Sequence, residues 1–174
     1  MNKLATLTFA SLASVAFAGQ PVVYDSKKTV IPEEACFAEQ ELQLDVYGAF
    51  TGTYGDDHED GWGGGLGLNY YFDRNFGVGV DGTVTDGEGQ ELWQIHGHLL
   101  IRFPIDNGDT CWAPYLKLGG GYQVNGEGGW SAGGGAGVEF RLNPSFALFG
   151  EGGYYWSERD ENYSQAKAGI RFIF

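Results

Sequence analysis

The sequence predicts an all-β protein, an eight-stranded antiparallel up-and-down transmembrane β-barrel. From Leu42 to Phe174, apolar side chains alternate with mixed polar ones at a period of two, in eight segments. The apolar series carries no charged residue in any segment. The connections alternate between acidic or Gly-rich loops and tight turns. An even number of strands lets the first pair with the last, which closes the sheet and removes both edges.

The first 18 residues have the composition of a secretory signal peptide. Lys3 precedes an apolar run over residues 4–17, and residues 16–18 (AFA) have the small-x-small form of a cleavage site. The run is too short to span a bilayer, which disfavours a retained helix. We therefore expect three parts: a signal peptide (1–18), a periplasmic N-terminal arm (19–40) and a β-barrel (41–174).

The first half of the barrel is predicted from four strands and their connections. An acidic loop, GDDHEDG at 55–61, follows the first strand, and the turn DRN at 73–75 follows the second. A second acidic loop at 86–90 follows the third strand, and a Pro-containing turn at 104–111 follows the fourth. These four strands are predicted at 42–54, 62–72, 76–85 and 93–103.

The second half repeats the same alternation of connections. A Gly-rich loop at 125–129 follows the fifth strand, Asn143-Pro144 turns after the sixth, and a charged loop at 157–162 follows the seventh. The eighth strand ends on an aromatic residue at the carboxyl terminus. These strands are predicted at 112–124, 130–141, 146–156 and 163–174.

The apolar face carries aromatic residues at both ends of the strands and aliphatic or small residues between them. Two aromatic belts around an aliphatic band are typical of a barrel anchored at two membrane interfaces. The belt beside the acidic loops comprises Tyr54, Trp62, Trp93, Trp130, Tyr154 and Trp156. The belt beside the tight turns comprises Phe72, Phe76, Phe103, Trp112, Phe140, Phe146 and Phe174.

The opposite strand face is expected to point into the lumen and to form an ionic network there. Its four acids and five bases nearly cancel, as buried charges must. Since eight strands enclose only enough space for their own side chains, we expect a plugged lumen. The predicted network comprises Asp45, Asp81, His96, His98, Arg102, Lys117, Glu139, Arg141, Glu151, Lys167 and Arg171.

Several motifs that suggest binding or catalysis lack the sequence context that these functions require. Residues 77–82 match G-x-G-x-x-G, but a strand follows instead of the helix that nucleotide binding needs. His96 and His98 lack a third ligand in a recognisable pattern. The pieces for hydrolysis, His58 and Ser157, lie in different loops. We expect no cofactor, no metal and no enzymatic activity.

Composition and cysteine content bear on the binding partners, the secondary structure and the disulfide bonding of the protein. The net charge of −13 becomes −14 when the signal peptide removes Lys3, so nucleic acid is not an expected partner. The 30 Gly, 12 Phe and 10 Tyr with a single Met favour strands. Cys36 and Cys111 are the only cysteines and fit no metal-site spacing. In an exported protein we expect them to pair as a disulfide, with two free thiols as the alternative.

Over Leu42–Phe174 the chain resembles the small eight-stranded outer-membrane barrels of the OmpA/OmpX type, on the strand pattern and the closing IRFIF. The resemblance implies that Phe174, Phe172 and Ile170 are the insertion signal read by the barrel-assembly machinery. It also implies a monomer among lipid and lipopolysaccharide in the outer membrane of a Gram-negative-type bacterium. The chain departs from the best-known member in showing no peptidoglycan-binding domain after the barrel, and its loops are short.

These observations favour a structural or envelope-integrity role without enzymatic activity. A narrow pore for passive transport is the first alternative. The second is a soluble secreted ligand-binding barrel of lipocalin type, with its apolar face turned inward. That alternative requires a charge-rich exterior, yet the polar strand face holds only the eleven ionisable residues of the predicted network.

Overall fold

The computed structural model describes residues 36–54, 60–87, 90–106, 111–124, 128–158 and 162–174. The predicted signal peptide at 1–18 and the first part of the arm at 19–35 lie outside the described residues. Within the described ranges, no helix is long and apolar enough to cross a membrane.

All regular structure in the described ranges is strand, in one antiparallel sheet. Most predicted strand boundaries lie within two residues of the observed ones. The strands are β1 (Glu41–Tyr54), β2 (Gly61–Tyr71), β3 (Phe76–Gly87), β4 (Gln90–Arg102), β5 (Ile105–Asp106), β6 (Cys111–Val124), β7 (Gly129–Asn143), β8 (Phe146–Ser157) and β9 (Asn162–Ile173).

The short strand β5 continues β4 beyond a break. Arg102 is paired with Tyr115 of β6, and the Phe103 amide still donates to a β6 carbonyl at 2.9 Å. Pro104 then interrupts the ladder, because proline has no N–H to donate. Pairing with β6 resumes at Ile105, opposite Trp112. Strands β4 and β5 therefore form one stave of the barrel.

The sheet closes on itself. Strand β1 pairs with both β2 and β9, and β4 pairs with both β3 and β6, so that eight staves form a ring. At the closing seam, the amide of Phe174 donates to the carbonyl of Leu42 at 2.9 Å, and the reverse bond measures 3.3 Å. The predicted eight-stranded antiparallel barrel is confirmed.

The two ends of the barrel differ. The turn end carries the tight turns at 73–75 and 143–145, the start of β1 and the end of β9. The Asp73 carboxylate accepts hydrogen bonds from the amides of Asn75 and Phe76, at 2.6 and 2.8 Å, which holds the first turn closed. The loop end is the opposite one, where β1 ends at Tyr54 and β2 begins at Gly61.

The distribution of side chains is the reverse of that in a soluble protein. Large apolar side chains lie on the outside: Leu68, Val80 and Leu118 are 46, 46 and 58% exposed. The interior holds charged groups, and Arg102 and Glu139 are fully buried. Such an exterior suits lipid and contradicts the soluble lipocalin-like alternative. Glycines make room inside, as at Gly119, where a Cβ would lie 2.8 Å from the Cα of His98.

Candidate functional site: the charged lumen

The turn-end part of the lumen is built around Glu41, the first residue of β1. Its carboxylate accepts from Arg102 of β4 at 2.8 Å and from Arg141 of β7 at 2.6 Å. Each arginine lies three strands away from β1, on opposite sides of the ring. The Gln43 side-chain amide adds a 2.5 Å hydrogen bond. One carboxylate thus joins two strands across the lumen.

The same chain of ion pairs continues to β9. Arg141 pairs with Glu139 at 2.5 Å, and Glu139 pairs with Arg171 at 2.6 Å. The guanidinium of Arg171 also donates two bonds to Asp45, at 2.7 and 2.8 Å. This fork-to-carboxylate geometry is the strong form of an ion pair. We call these six residues the turn-end network: Glu41, Asp45, Arg102, Glu139, Arg141 and Arg171.

Aromatic rings cover the arginine faces of this network. The guanidinium of Arg102 lies between Tyr71 and Phe37, 3.8 and 4.8 Å from the two ring centroids. The guanidinium of Arg171 lies 4.8 Å from the ring centroid of Phe149. Flat, weakly hydrated guanidinium groups stack well on aromatic rings, which lysine does less readily. The three arginines are accordingly all at this end.

The middle of the lumen holds a second balanced group. Asp81 accepts from Lys167 at 2.7 Å and from Lys117 at 3.2 Å. Lys117 also pairs with Glu151 at 2.8 Å, and the Tyr115 hydroxyl donates to the same carboxylate at 2.8 Å. Two acids and two lysines thus form the middle network. Lys167 and Asp81 lie on strands three positions apart, so this network also spans the lumen.

Asn69 and His98 connect the networks. Asn69 donates to Asp45 at 2.9 Å, and its amide oxygen lies 3.0 Å from His98 Nε2. The other ring nitrogen of His98 lies 3.3 Å from Asp81. A continuous path of polar contacts therefore runs from the turn end to the middle of the barrel.

Toward the loop end the contacts across the interior are made by polar side chains other than Asp, Glu, Lys and Arg. His96 Nε2 and the Tyr163 hydroxyl are 2.8 Å apart, and Gln165 donates to Gln94 at 2.7 Å. Both contacts join β4 to β9, which are four strands apart in a ring of eight and therefore directly opposite. Side chains meet across the full width of the barrel at this height.

The two histidines lie beside one carboxylate of the middle network. His96 and His98 both approach Asp81, at 3.8 and 3.3 Å, but that carboxylate already binds the ammonium groups of Lys117 and Lys167. Two cations at this distance repel a third. Within the described ranges, no group of three or more metal-ligating side chains occurs.

The structure places all eleven predicted lumen residues on the inner face. Nine of them belong to the two networks, and His96 and His98 lie beside Asp81 of the middle network. The sequence reasoning missed Glu41, which lies in phase with Gln43 and Asp45, one step before the alternation was taken to begin. One further period-two step would have found it. Glu41 makes the count five acids and five bases, so the buried charges cancel.

The two cysteines form the predicted disulfide. Cys36 is bonded to Cys111, with their Cα atoms 5.9 Å apart, which confirms the pairing and leaves neither cysteine as a free thiol. Phe37, placed in the arm by the sequence analysis, is only 1% exposed and packs on the arginines of the lumen. Cys36 and Phe37 of the predicted arm are therefore held against the barrel.

The predicted belt residues whose side chains are described lie on the outer face at the two ends of the strands. The Tyr54 side chain lies outside the described part of the structure. Trp112 is half-buried and stacks on Phe140, with ring centroids 6.1 Å apart. The others are exposed: Trp62, Trp93, Trp130, Tyr154 and Trp156 at the loop end, and Phe72, Phe76, Phe103, Phe140, Phe146 and Phe174 at the turn end.

The three residues of the predicted insertion signal share the outer face of β9 and its end. Ile170 and Phe174 are exposed, and the ring of Phe172 packs edge-on against Phe146 with centroids 5.2 Å apart. All three side chains are thus on the surface that faces lipid.

These features define a transmembrane β-barrel with a network of buried ion pairs in its interior. The sequence matches the outer membrane protein beta-barrel domain family over residues 5–174, and the chain belongs to that family. This confirms the resemblance found in the sequence and places the protein in the outer membrane of a Gram-negative-type bacterium. No curated protein sequence matches the chain.

Solved structures with similar folds include eight-stranded outer-membrane barrels. Neisserial surface protein A is 15% identical with a TM-score of 0.66, covering 78% of this chain and 100% of that one. Ail, the attachment invasion locus protein of Yersinia pestis, is 19% identical with a TM-score of 0.61, covering 78% and 99%. The N-terminal barrel domain of Pseudomonas aeruginosa OprF is 14% identical with a TM-score of 0.58, covering 79% and 99%. At these identities the likeness concerns the fold alone.

Proposed function

We propose that this protein is a non-enzymatic structural barrel of the outer membrane whose lumen is closed to solutes. The observation that carries the proposal is that side chains meet across the lumen at three heights. Glu41 joins Arg102 to Arg141 at the turn end, Asp81 joins Lys117 to Lys167 in the middle, and Gln94 meets Gln165 toward the loop end.

Opening a path for solutes would require breaking these contacts one layer after another. Separating a buried ion pair without replacing its partner costs about 3–5 kcal/mol. A water-filled path would have to replace several such pairs in a barrel that has no spare width. The balance of five acids and five bases also leaves no net charge to attract an ion.

The remaining parts of the proposal concern the surroundings of the barrel. The turn end would face the periplasm, with the arm at 19–40 following a cleaved signal peptide at 1–18. The barrel would be a monomer, with its outer face against lipid and lipopolysaccharide and its belts at the two interfaces. Phe174, Phe172 and Ile170 would be read by the barrel-assembly machinery during insertion.

A narrow pore is the second candidate, and one observation favours it. In the loop-end half of the lumen several buried polar atoms make no hydrogen bond within the described structure: Nε2 of Gln94, Nδ1 of His96, and Oε1 of Gln123 and of Gln165. Buried polar groups are normally paired, so water entering from the loop end would satisfy them. The middle network then stops this path unless it rearranges.

Planar-bilayer recording separates the two candidates. We expect the purified, folded barrel to insert without stable unit conductance, since no layer of contacts opens on its own. Heat-modifiable gel mobility verifies folding of the same preparation, and a wide general porin shows that the bilayer detects conduction. Reproducible unit steps from the folded protein, absent after heat unfolding, would reject the closed lumen in favour of the narrow pore.

A further inference from the structure

The segment just before β1 covers the turn end of the lumen. We call residues 36–40 the cap. The ring of Phe37 packs on the guanidinium groups of Arg102 and Arg141, with centroid distances of 4.8 and 4.4 Å, and the residue is 1% exposed. Gln40 has a φ of 56°, a left-handed turn that leads the chain from the cap into β1.

Phe37 covers two arginines and leaves the third untouched. Arg171 belongs to the same network, but its ring neighbours are Tyr115 and Phe149, which project from β6 and β8. The aromatic cover of Arg102 and Arg141 thus comes partly from a segment outside the sheet, whereas that of Arg171 comes wholly from the barrel wall.

The hydrogen bonds made by the backbone of the cap are long, and the disulfide is its covalent attachment to the barrel. The Ala38 amide donates to Glu41 at 3.3 Å, and the Ala38 carbonyl lies 3.5 Å from a nitrogen of Arg102, the limit for a hydrogen bond. The covalent bond from Cys36 to Cys111, the first residue of β6, fixes the far end of the cap to the wall. Holding a short irregular segment in one conformation otherwise costs about 1–2 kcal/mol of conformational entropy per residue.

We propose that the cap is a plug latched by the disulfide, so that the redox state of Cys36 and Cys111 controls access of water to Arg102 and Arg141. Both cysteines are half-exposed, which leaves the bond within reach of a thiolate. The partner is a dithiol, of the class carried by thioredoxin-like proteins. It supplies two electrons and two protons, leaves thiols on both cysteines and itself becomes the disulfide.

This role is separate from conduction. Lifting the cap exposes the turn-end network, but Asp81 with its two lysines still closes the middle of the lumen. Access at the turn end and conductance across the membrane are therefore independent readouts. Conductance recordings can reject the closed lumen without rejecting the role of the disulfide, and proton exchange can reject the role of the disulfide without rejecting the closed lumen.

The test measures exchange of the arginine Nε protons with water by NMR, on the folded barrel in lipid nanodiscs, before and after reduction with a small dithiol. Reducing the folded protein avoids relying on a variant to fold. We expect the exchange rates of Arg102 and Arg141 to rise on the order of tenfold or more, because local opening limits exchange. Arg171 is the internal control and should keep its rate.

Two variants complete the design. Cys36→Ser should show the fast pattern without reductant, and Phe37→Ala should show it while the disulfide is intact. Unchanged rates for Arg102 and Arg141 after reduction would overturn the latch, since the cap would then stay seated without its bond. Equal acceleration of Arg171 would also overturn it, because the disulfide would then stabilise the whole network and not the cap.

Discussion

Removing the arginine at the centre of the turn-end network should destabilise the barrel strongly. Arg171 is buried and binds both Asp45 and Glu139. Arg171→Met keeps most of the side-chain volume but leaves three acids facing two bases in this network. Because the interior cannot solvate the extra carboxylate, the variant loses more than the hydrogen bonds it deletes.

The size of the effect follows from the burial of the pair. Leaving a buried charge without its partner costs about 3–5 kcal/mol. With a urea slope of about 2 kcal/mol per molar, the unfolding midpoint should fall by about 2 M. In Asp45→Asn/Arg171→Met, two acids face two bases again. The double variant should therefore be more stable than Arg171→Met alone, although it has lost one more charged group.

The assay is urea unfolding in lipid vesicles, followed by tryptophan fluorescence and heat-modifiable gel mobility. Glu158→Gln is the matched control, because Glu158 is an exposed acid at the loop end. The charge-balance reasoning is refuted if Arg171→Met unfolds at the same urea concentration as this control. It is equally refuted if the double variant proves less stable than Arg171→Met.

Two further predictions concern assembly and packing. Deleting Phe174 should reduce the yield of inserted protein more than the mid-strand substitution Ala168→Gly, because it removes the last backbone pair of the closing seam and the proposed insertion signal; equal membrane yields would contradict this. Gly119→Ala should lower the free energy of unfolding by about 1–3 kcal/mol, since the new methyl would lie 2.8 Å from the Cα of His98. Gly97→Ala is the control and should change the free energy of unfolding little, because a Cβ there meets nothing within 4 Å. The urea midpoints of the two variants check this prediction. A midpoint of Gly119→Ala equal to that of Gly97→Ala would show that the lumen tolerates the extra volume.

Most lumen residues could be assigned to the inner face from the sequence, because the period-two alternation is a property of each strand by itself. Asp81 and Lys117 were both placed inside by counting in steps of two along their own strands. That count does not say which acid meets which base. Lys167 binds Asp81 from 86 residues away, on a strand three positions around the ring, which depends on how the strands are staggered.

The cap shows a second limit of the pattern. Residues 36–40 have no period-two alternation, so nothing in them indicated a buried position for Phe37. Its place on Arg102 and Arg141 follows from the bond between Cys36 and Cys111, 75 residues apart, and from the left-handed turn at Gln40. The disulfide pairing itself was foreseeable, since the chain holds only two cysteines.

The sequence by itself determined the class of fold, the number of staves, the membrane environment and the face of most strand side chains. It could do so because lipid excludes charge from one face of every strand, and this constraint repeats within each segment. Tertiary structure alone decided the pairing of the buried charges, the role of Glu41 and the seating of the cap. Most of those contacts join residues far apart in the chain, which meet only once the sheet has closed into a ring.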